Sequence, residues 1–599
     1  VIEVKTSGAI TAASFKKVGG TSSQYLMADG SVSTGTSSSS SVGVPYTGAT
    51  QAVDLGAFDL KVNGLTIGVG AGNLSASANT AIGNSALMSN TSGSNNVAIG
   101  FESLKSSTTV GGNVGVGRGT LSSNITGGGN TAIGNYVLNR STGASNTGMG
   151  TNSLMNTTTG ALNSTLGAYS MMNNVSGSGN TSMGHFSLID NTTGDDNTAY
   201  GNMALKANTT GSQNVAIGTN ALMNNVANNR TVAIGYYAML NANNTNSAII
   251  TGNTAIGYES LRGGAGAANN TGTANTAVGY QTLALNTTGS ANVAVGHSAL
   301  INNGAGTDNV AVGASTLSSN TSGGANIALG STSLGSNTTG QHNVAIGYFA
   351  LSVNTIGNRN NAYGSRSLRY NTGSDNNAFG EQALYSNTGD GNIGIGGGAL
   401  YGNTTGSNNV GIGGSAMGHK TTGSNNVAVG ILAGEKIADG VSTNSSSDNS
   451  VFLGFQSYPQ AAAQTNQIVI GYNAIGNGSN STVIGNASTT SAEIKGALKT
   501  SGQLLSLSTK TSAYNILSSD EIILANASSA AFSVTLPTAV GKNGQTYTIK
   551  RMNSGSNDVT LATTSSQTID GSATYVLSAQ YKYIKVVSDG SNWVIVGNN

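Results

Sequence analysis

The sequence has no cysteine, three prolines and one tryptophan among 599 residues, and only 8% of its residues are charged. Without cysteine there are no disulfides and no thiolate metal sites, and the redox compartment stays open. A formal net charge of +1 removes the electrostatic reason to expect nucleic acid or an acidic membrane surface as partner. No run approaches the roughly 18 apolar residues of a spanning helix. The chain opens VIEVKTSGAI, with neither methionine nor a charged-then-apolar leader. The expectation is a trimmed start or a piece of something longer.

What the sequence has in abundance is glycine, 88 residues, together with Ser, Thr and Asn. Such composition reads as disorder unless the apolar positions keep register, and here they do. From Asn79 to Gly430 one unit recurs: NTAIGNSALMSNTSGSN from Asn79, NVAIGTNALMNNVANN from Asn214 and NVAIGYFALSVNTIGNR from Asn343. The glycine closing the A-I-G triplet anchors each copy, as at Gly83, Gly100, Gly117 and Gly134. The step is 17 residues, with occasional steps of 16 and two of 22 (Gly235 to Gly257 to Gly279). A period this short means a solenoid, because one unit cannot bury a face without stacking on its neighbours.

Two columns read as core: the residue before the anchor glycine (Ile82, Ile99, Ile217, with Tyr200, Tyr363 and Phe379 as wider variants) and the Leu or Met four after it (Leu87, Leu104, Met171). Strand side chains alternate, so the residue two before glycine faces the opposite way. It is small throughout, as at Ala81, Ala98, Ala132, Ala216, Ala294 and Ala345. Smallness in every copy predicts close packing outside the coil, and these alanines are expected to form the interface of a homotrimer. Two large side chains per rung contribute roughly 1.5 to 3 kcal/mol each, while ordering 17 residues costs at least as much, so a lone chain would be marginal. The NTTGSN segments at Asn191, Asn208, Asn286, Asn337 and Asn403 read as turns. The asparagine four before the anchor (Asn96, Asn113, Asn214, Asn343) is placed to form a rung-to-rung ladder.

The flanks differ. Residues 1–44 read as an attachment segment and linker, 45–78 as a short β lead-in, 79–496 as the solenoid shaft, 497–517 as a connector, and 518–599 as a β domain. The last shows strands EIILAN, FSVTLP, TYTIKRM, DVTLAT, TYVLS, YKYIKVV and WVIVG separated by turn signals. The fold class is therefore all-β: a long parallel β-roll or β-solenoid with a C-terminal antiparallel β-sandwich or knob.

The NxVAIGxxAL units resemble the head repeats of trimeric autotransporter adhesins and, more closely, their relatives in phage tail fibres. NQIVIGYNAIGNGSNSTVIGNASTTSAEIKG from Asn466, KVGGTSSQYLMADGSV from Lys17, and the closing TLPTAVGKNGQTYTIK and SDGSNWVIV look like tail-fibre sequence. The resemblance implies a left-handed β-roll in a trimer, located on the virion, that presents a C-terminal domain to a host cell-surface glycan or protein. It also implies that the N-terminal segment joins other virion components. The alternative is a bacterial surface adhesin or extracellular filament subunit. The unit is longer than the adhesin repeat, so the added Asn-Thr-Thr-Gly is expected to bulge outward.

Chemistry is sparse. His185, His297, His342 and His419 fall in separate rungs, and Asp190, Asp195 and Asp196 read as solvated turn residues. The expectation is a protein that is not an enzyme, with no cofactor and no metal. Binding residues are sought among exposed aromatics: Tyr236, Tyr258, Tyr280 and Tyr348 after anchor glycines, and Tyr547, Tyr575, Tyr581, Tyr583 and Trp593 in the C-terminal domain, where Trp593 also reads as core. Ice binding would need Thr-x-Thr ladders on one face, and the repeat places Thr-Thr inside a turn.

Overall fold

The structure is a computed structural model and describes residues 24–26, 32–34, 60–62, 65–68, 78–242, 247–266, 270–491 and 506–599. Most of the attachment segment and lead-in, and residues 492–505 of the connector, lie outside them. The chain divides into two units, Val1–Thr489 and Thr490–Asn599.

In the first unit the repeat folds as an all-β parallel solenoid. Each copy contributes one strand, from Thr80–Ile82 to Thr482–Ile484, paired in parallel with the same three residues of the next copy: Thr80 with Val97, Ala81 with Ala98, Ile82 with Ile99. The other sides of the coil are bonded from rung to rung as well. Glu102 N donates to Asn84 O at 3.0 Å, Leu104 N to Thr120 O at 2.9 Å, and Thr91 N to Thr108 O at 2.8 Å. The backbone thus satisfies itself along the coil. At the N-terminal end the hairpin Leu60–Val62/Leu65–Gly68 lies antiparallel on the first rung strand.

The anchor glycine has two reasons to be glycine. Its φ is +129° at Gly83, and a Cβ there would sit 2.7 Å from Gly100 O, a separation that no side chain tolerates. The turn that follows includes a left-handed leucine, Leu87 at φ 48° and Leu104 at φ 52°. That conformation costs about 1–2 kcal/mol, and complete burial of the leucine returns about as much or more.

The inside and outside of the strand are the reverse of the expected assignment. Ala81, Ala98, Ala132, Ala216, Ala294 and Ala345 are buried within their own coil at 0–1% exposure, whereas Ile133, Ile217 and Ile256 stand 37–40% exposed. The alanines are therefore not available as a trimer interface. The alternation of the strand was correct, but the lumen is too narrow for the larger set. Where glycine replaces alanine, at Gly411, an added Cβ would already meet Leu400 Cγ at 3.1 Å. Two neighbouring rungs show the compensation directly. Phe452 fills the alanine position of one, fully buried, and Gly434 replaces the leucine of the rung before it, since a Cβ there would meet the Phe452 ring at 2.9 Å.

The lumen is completed by two buried asparagine columns. Asn292 N bonds Asn275 Oδ1 at 3.1 Å, and Asn303 Nδ2 bonds Asn286 Oδ1 at 2.8 Å. Gly306 O accepts from both Asn292 Nδ2 and Asn303 Nδ2, at 2.9 Å each, which ties the columns together. The expected ladder is present. The Asn-Thr-Thr-Gly segment does not simply bulge outward, because its asparagine (Asn191, Asn208, Asn337, Asn403) is buried in the second column.

The second unit has two sheets. One orders Leu507–Lys510, Ile522–Ala525, Thr546–Arg551, Tyr583–Ser588 and Trp593–Asn598; the other orders Tyr514–Asn515, Phe532–Thr535, Val559–Ala562 and Thr574–Leu577. The C-terminal strands of each sheet pair antiparallel, and the earlier ones join in parallel because the chain alternates between sheets. Leu507–Lys510 and Tyr514–Asn515 fall in the stretch read as connector, where LSTK and YN carry too little apolar signal to mark strands. The core is of ordinary type, with Ile523, Val534, Ile549, Leu561, Ile584, Val586, Tyr547 and Trp593 in one cluster.

Candidate interaction surfaces

Alternation in the rung strand has a consequence outside the coil. Val97 and Ile99 flank buried Ala98, Val215 and Ile217 flank Ala216, and Val410 and Ile412 flank Gly411. The outward face of the sheet is thus a ribbon in register, mostly of Val, Ile and Thr, with Tyr, Phe, Met, Leu, Ser or Asn in some rungs. Val293, Ile327, Ile395, Ile412 and Val427 are 36–39% exposed on it. Its apolar stretches make this face a candidate interaction surface.

A second feature is a set of stacked rings. Tyr236, Tyr258, Tyr280 and His297 follow successive anchor glycines and stack nearly parallel, with centroids 5.4, 5.1 and 5.0 Å apart. Their faces are spent on one another, so the ladder offers edges and not the open faces on which a sugar ring would stack. His185 packs on Phe186 at 3.8 Å, and His419 Nδ1 lies 2.7 Å from Glu435 Oε1. Among the described residues no three His, Asp or Glu converge as metal ligands, and no helix is long and apolar enough to cross a membrane. Asp195 Oδ1 accepts from Ser178 N at 2.7 Å, and Asp190 Oδ1 accepts from Asn173 Nδ2 at 3.3 Å; both belong to rung-to-rung ladders. The first threonine hydroxyl of the turn points to neighbouring backbone, as Thr192 Oγ1 to Thr209 O at 2.9 Å.

In the C-terminal unit the five aromatic candidates divide. Trp593 is fully buried and donates Nε1 to Pro537 O at 3.2 Å. Tyr547 packs 5.4 Å from it, and burial raises the Tyr547 phenol above its ordinary pKa. These two are core. Tyr575 is part-buried against the core, its hydroxyl accepting from Asn598 Nδ2 at 3.0 Å. Tyr583 is half-buried, and only Tyr581 is well exposed, at 53%, with Lys550 Nζ 5.4 Å from its ring.

Two polar features had no sequence signal. Arg551 is fully buried and donates to Asn553 Oδ1 (3.2 Å), Asp558 Oδ1 (3.1 Å), Leu577 O (3.2 Å) and Gly555 O. Lys420 replaces an asparagine in the second column and donates to Ser447 O. Burial pushes its pKa down to about 8, against a smaller opposing pull from Asp448.

No family model matches the chain, and no curated protein is similar to it. Its class is set by the fold: a β-solenoid repeat protein with a separate two-sheet C-terminal unit.

Proposed function

We propose that the chain is a structural fibre subunit of the viral tail-fibre type. Its solenoid is the shaft of a homotrimer, and its C-terminal unit serves host cell-surface attachment. The observation that supports this reading most is the outward Val/Ile ribbon. It has the period of the coil itself, so the surface that matches it rung for rung is the same ribbon on another copy of this chain. The interface is thereby moved from the alanines to the residues on either side of them. The sequence flanks that look like tail-fibre segments favour a virion over a cell envelope. Tyr581, with half-buried Tyr583 beside Lys585 in the same strand, is the part of the C-terminal unit best placed to touch a glycan.

Light scattering on the purified chain tests the assembly: the expected mass is threefold the 59.3 kDa chain, and a monomer would overturn the reading. Ile217→Lys with Ile256→Lys adds outward charge and should release monomers that retain the β spectrum.

A further inference from the structure

We propose that the shaft itself carries a lateral site for an acidic polysaccharide, centred on the turn after Gly364. Charge is scarce in this protein, yet this one turn holds Arg366 and Arg369, three residues apart. Neither is within ion-pair distance of a carboxylate among the described residues, whereas nearby Arg359 is held by Asp375 at 2.6 and 2.9 Å. The Nε atoms of Arg366 and Arg369 are both buried without a hydrogen-bond partner. Two guanidiniums three residues apart, neither with a carboxylate partner, favour an anion.

Aromatic rings surround Arg369. The Arg369 guanidinium carbon lies 4.8 Å from the Phe349 ring centre, 5.1 Å from Tyr370 and 5.9 Å from Tyr385, and Nη1 donates to the Tyr385 hydroxyl at 3.3 Å. Phe349 occupies the position of Arg366 one rung earlier. Tyr385 stacks on Tyr401 at 4.9 Å and meets Tyr370 edge-on at 5.2 Å, and Tyr370 and Tyr401 stand 42% and 36% exposed. Unlike the Tyr236–His297 stack, this cluster sets comparably exposed rings beside a guanidinium. Sugar rings pack on the first, and their carboxylate or sulfate groups pair with the second. A saccharide chain running along the coil would meet both. These side chains leave the coil from the turn and not from the strand, so the site is distinct from the Val/Ile ribbon. It depends neither on the number of copies nor on the C-terminal unit.

The test is binding of the full chain to immobilised polygalacturonate, with dextran as the neutral counterpart. Expected are measurable binding to polygalacturonate, none to dextran, and at least a tenfold loss in R366Q/R369Q with unchanged melting temperature. Y370A/Y401A, which leaves the charge intact, should also weaken binding several-fold. No binding to polygalacturonate, equal binding to dextran, or wild-type affinity in both double variants would overturn the proposal. The light-scattering mass is independent of every one of these outcomes.

Discussion

The two units bury their interiors by opposite means. The C-terminal unit packs large apolar side chains, Trp593 and Tyr547 among them, between two sheets and locks one edge with a buried arginine. The solenoid fills a narrow lumen with alanine, leucine and hydrogen-bonded asparagine, and turns its isoleucines outward. Large apolar residues mark the inside only where the cross-section can hold them. In this 17-residue coil the isoleucines stand on the outer face of the sheet.

The comparison can be broken most forcefully at Arg551. Replacing it with methionine leaves three oxygen acceptors without their donor and should cost about 1–3 kcal/mol for each one that stays buried and unpaired, while half-exposed Asp558 turns to water. The loss should be confined to the C-terminal unit and is read by denaturation followed through Trp593, the only tryptophan. In the solenoid, Ala255→Ile should cost about 1–3 kcal/mol by overpacking, while Ile256→Ala should leave the stability of the isolated coil within about 0.5 kcal/mol. Hydrogen exchange around that rung separates the two. Asn309→Ala removes the Nδ2 bonds to Asn292 Oδ1 and Gly323 O and orphans Asn326 N, a loss of about 1–3 kcal/mol that a thermal melt would register.

The effect at Lys420 depends on pH. Its folded pKa of about 8 lies below the ordinary lysine value near 10.4, so between these values the unfolded chain binds more protons. Stability should rise with pH from about 8 to 10.4, and the burial penalty is fully present below 8. Lys420→Asn restores the column residue and should abolish that slope while raising stability at pH 7, as measured by chemical denaturation at a series of pH values.

The repeat period, its parallel stacking and the asparagine ladder were legible in the sequence because each follows from recurrence alone. The seven strands from EIILAN to WVIVG were legible because they alternate around a core of normal width. The direction of the rung strand was not, since A-I alternation is symmetric until the distance across the coil to Leu400 is known. Nor were the buried Arg551 and Lys420, which look like any surface cation in a chain with few of them. Of the aromatic candidates, Trp593 was read as core and is buried, whereas Tyr547 could be placed only once its sheet was paired. The patch around Arg369 draws on residues one rung apart, Phe349 and Tyr385, which the sequence separates by a full period.

Because the chain has no cysteine, one thiol can report which side of the rung strand meets another copy. A cysteine at position 256 should join copies covalently on mild oxidation, and a cysteine at position 255 should stay unreactive inside its coil. If the thiol at 255 joins copies, or the thiol at 256 reacts freely with a water-soluble maleimide and joins none, the outward ribbon is not the interface.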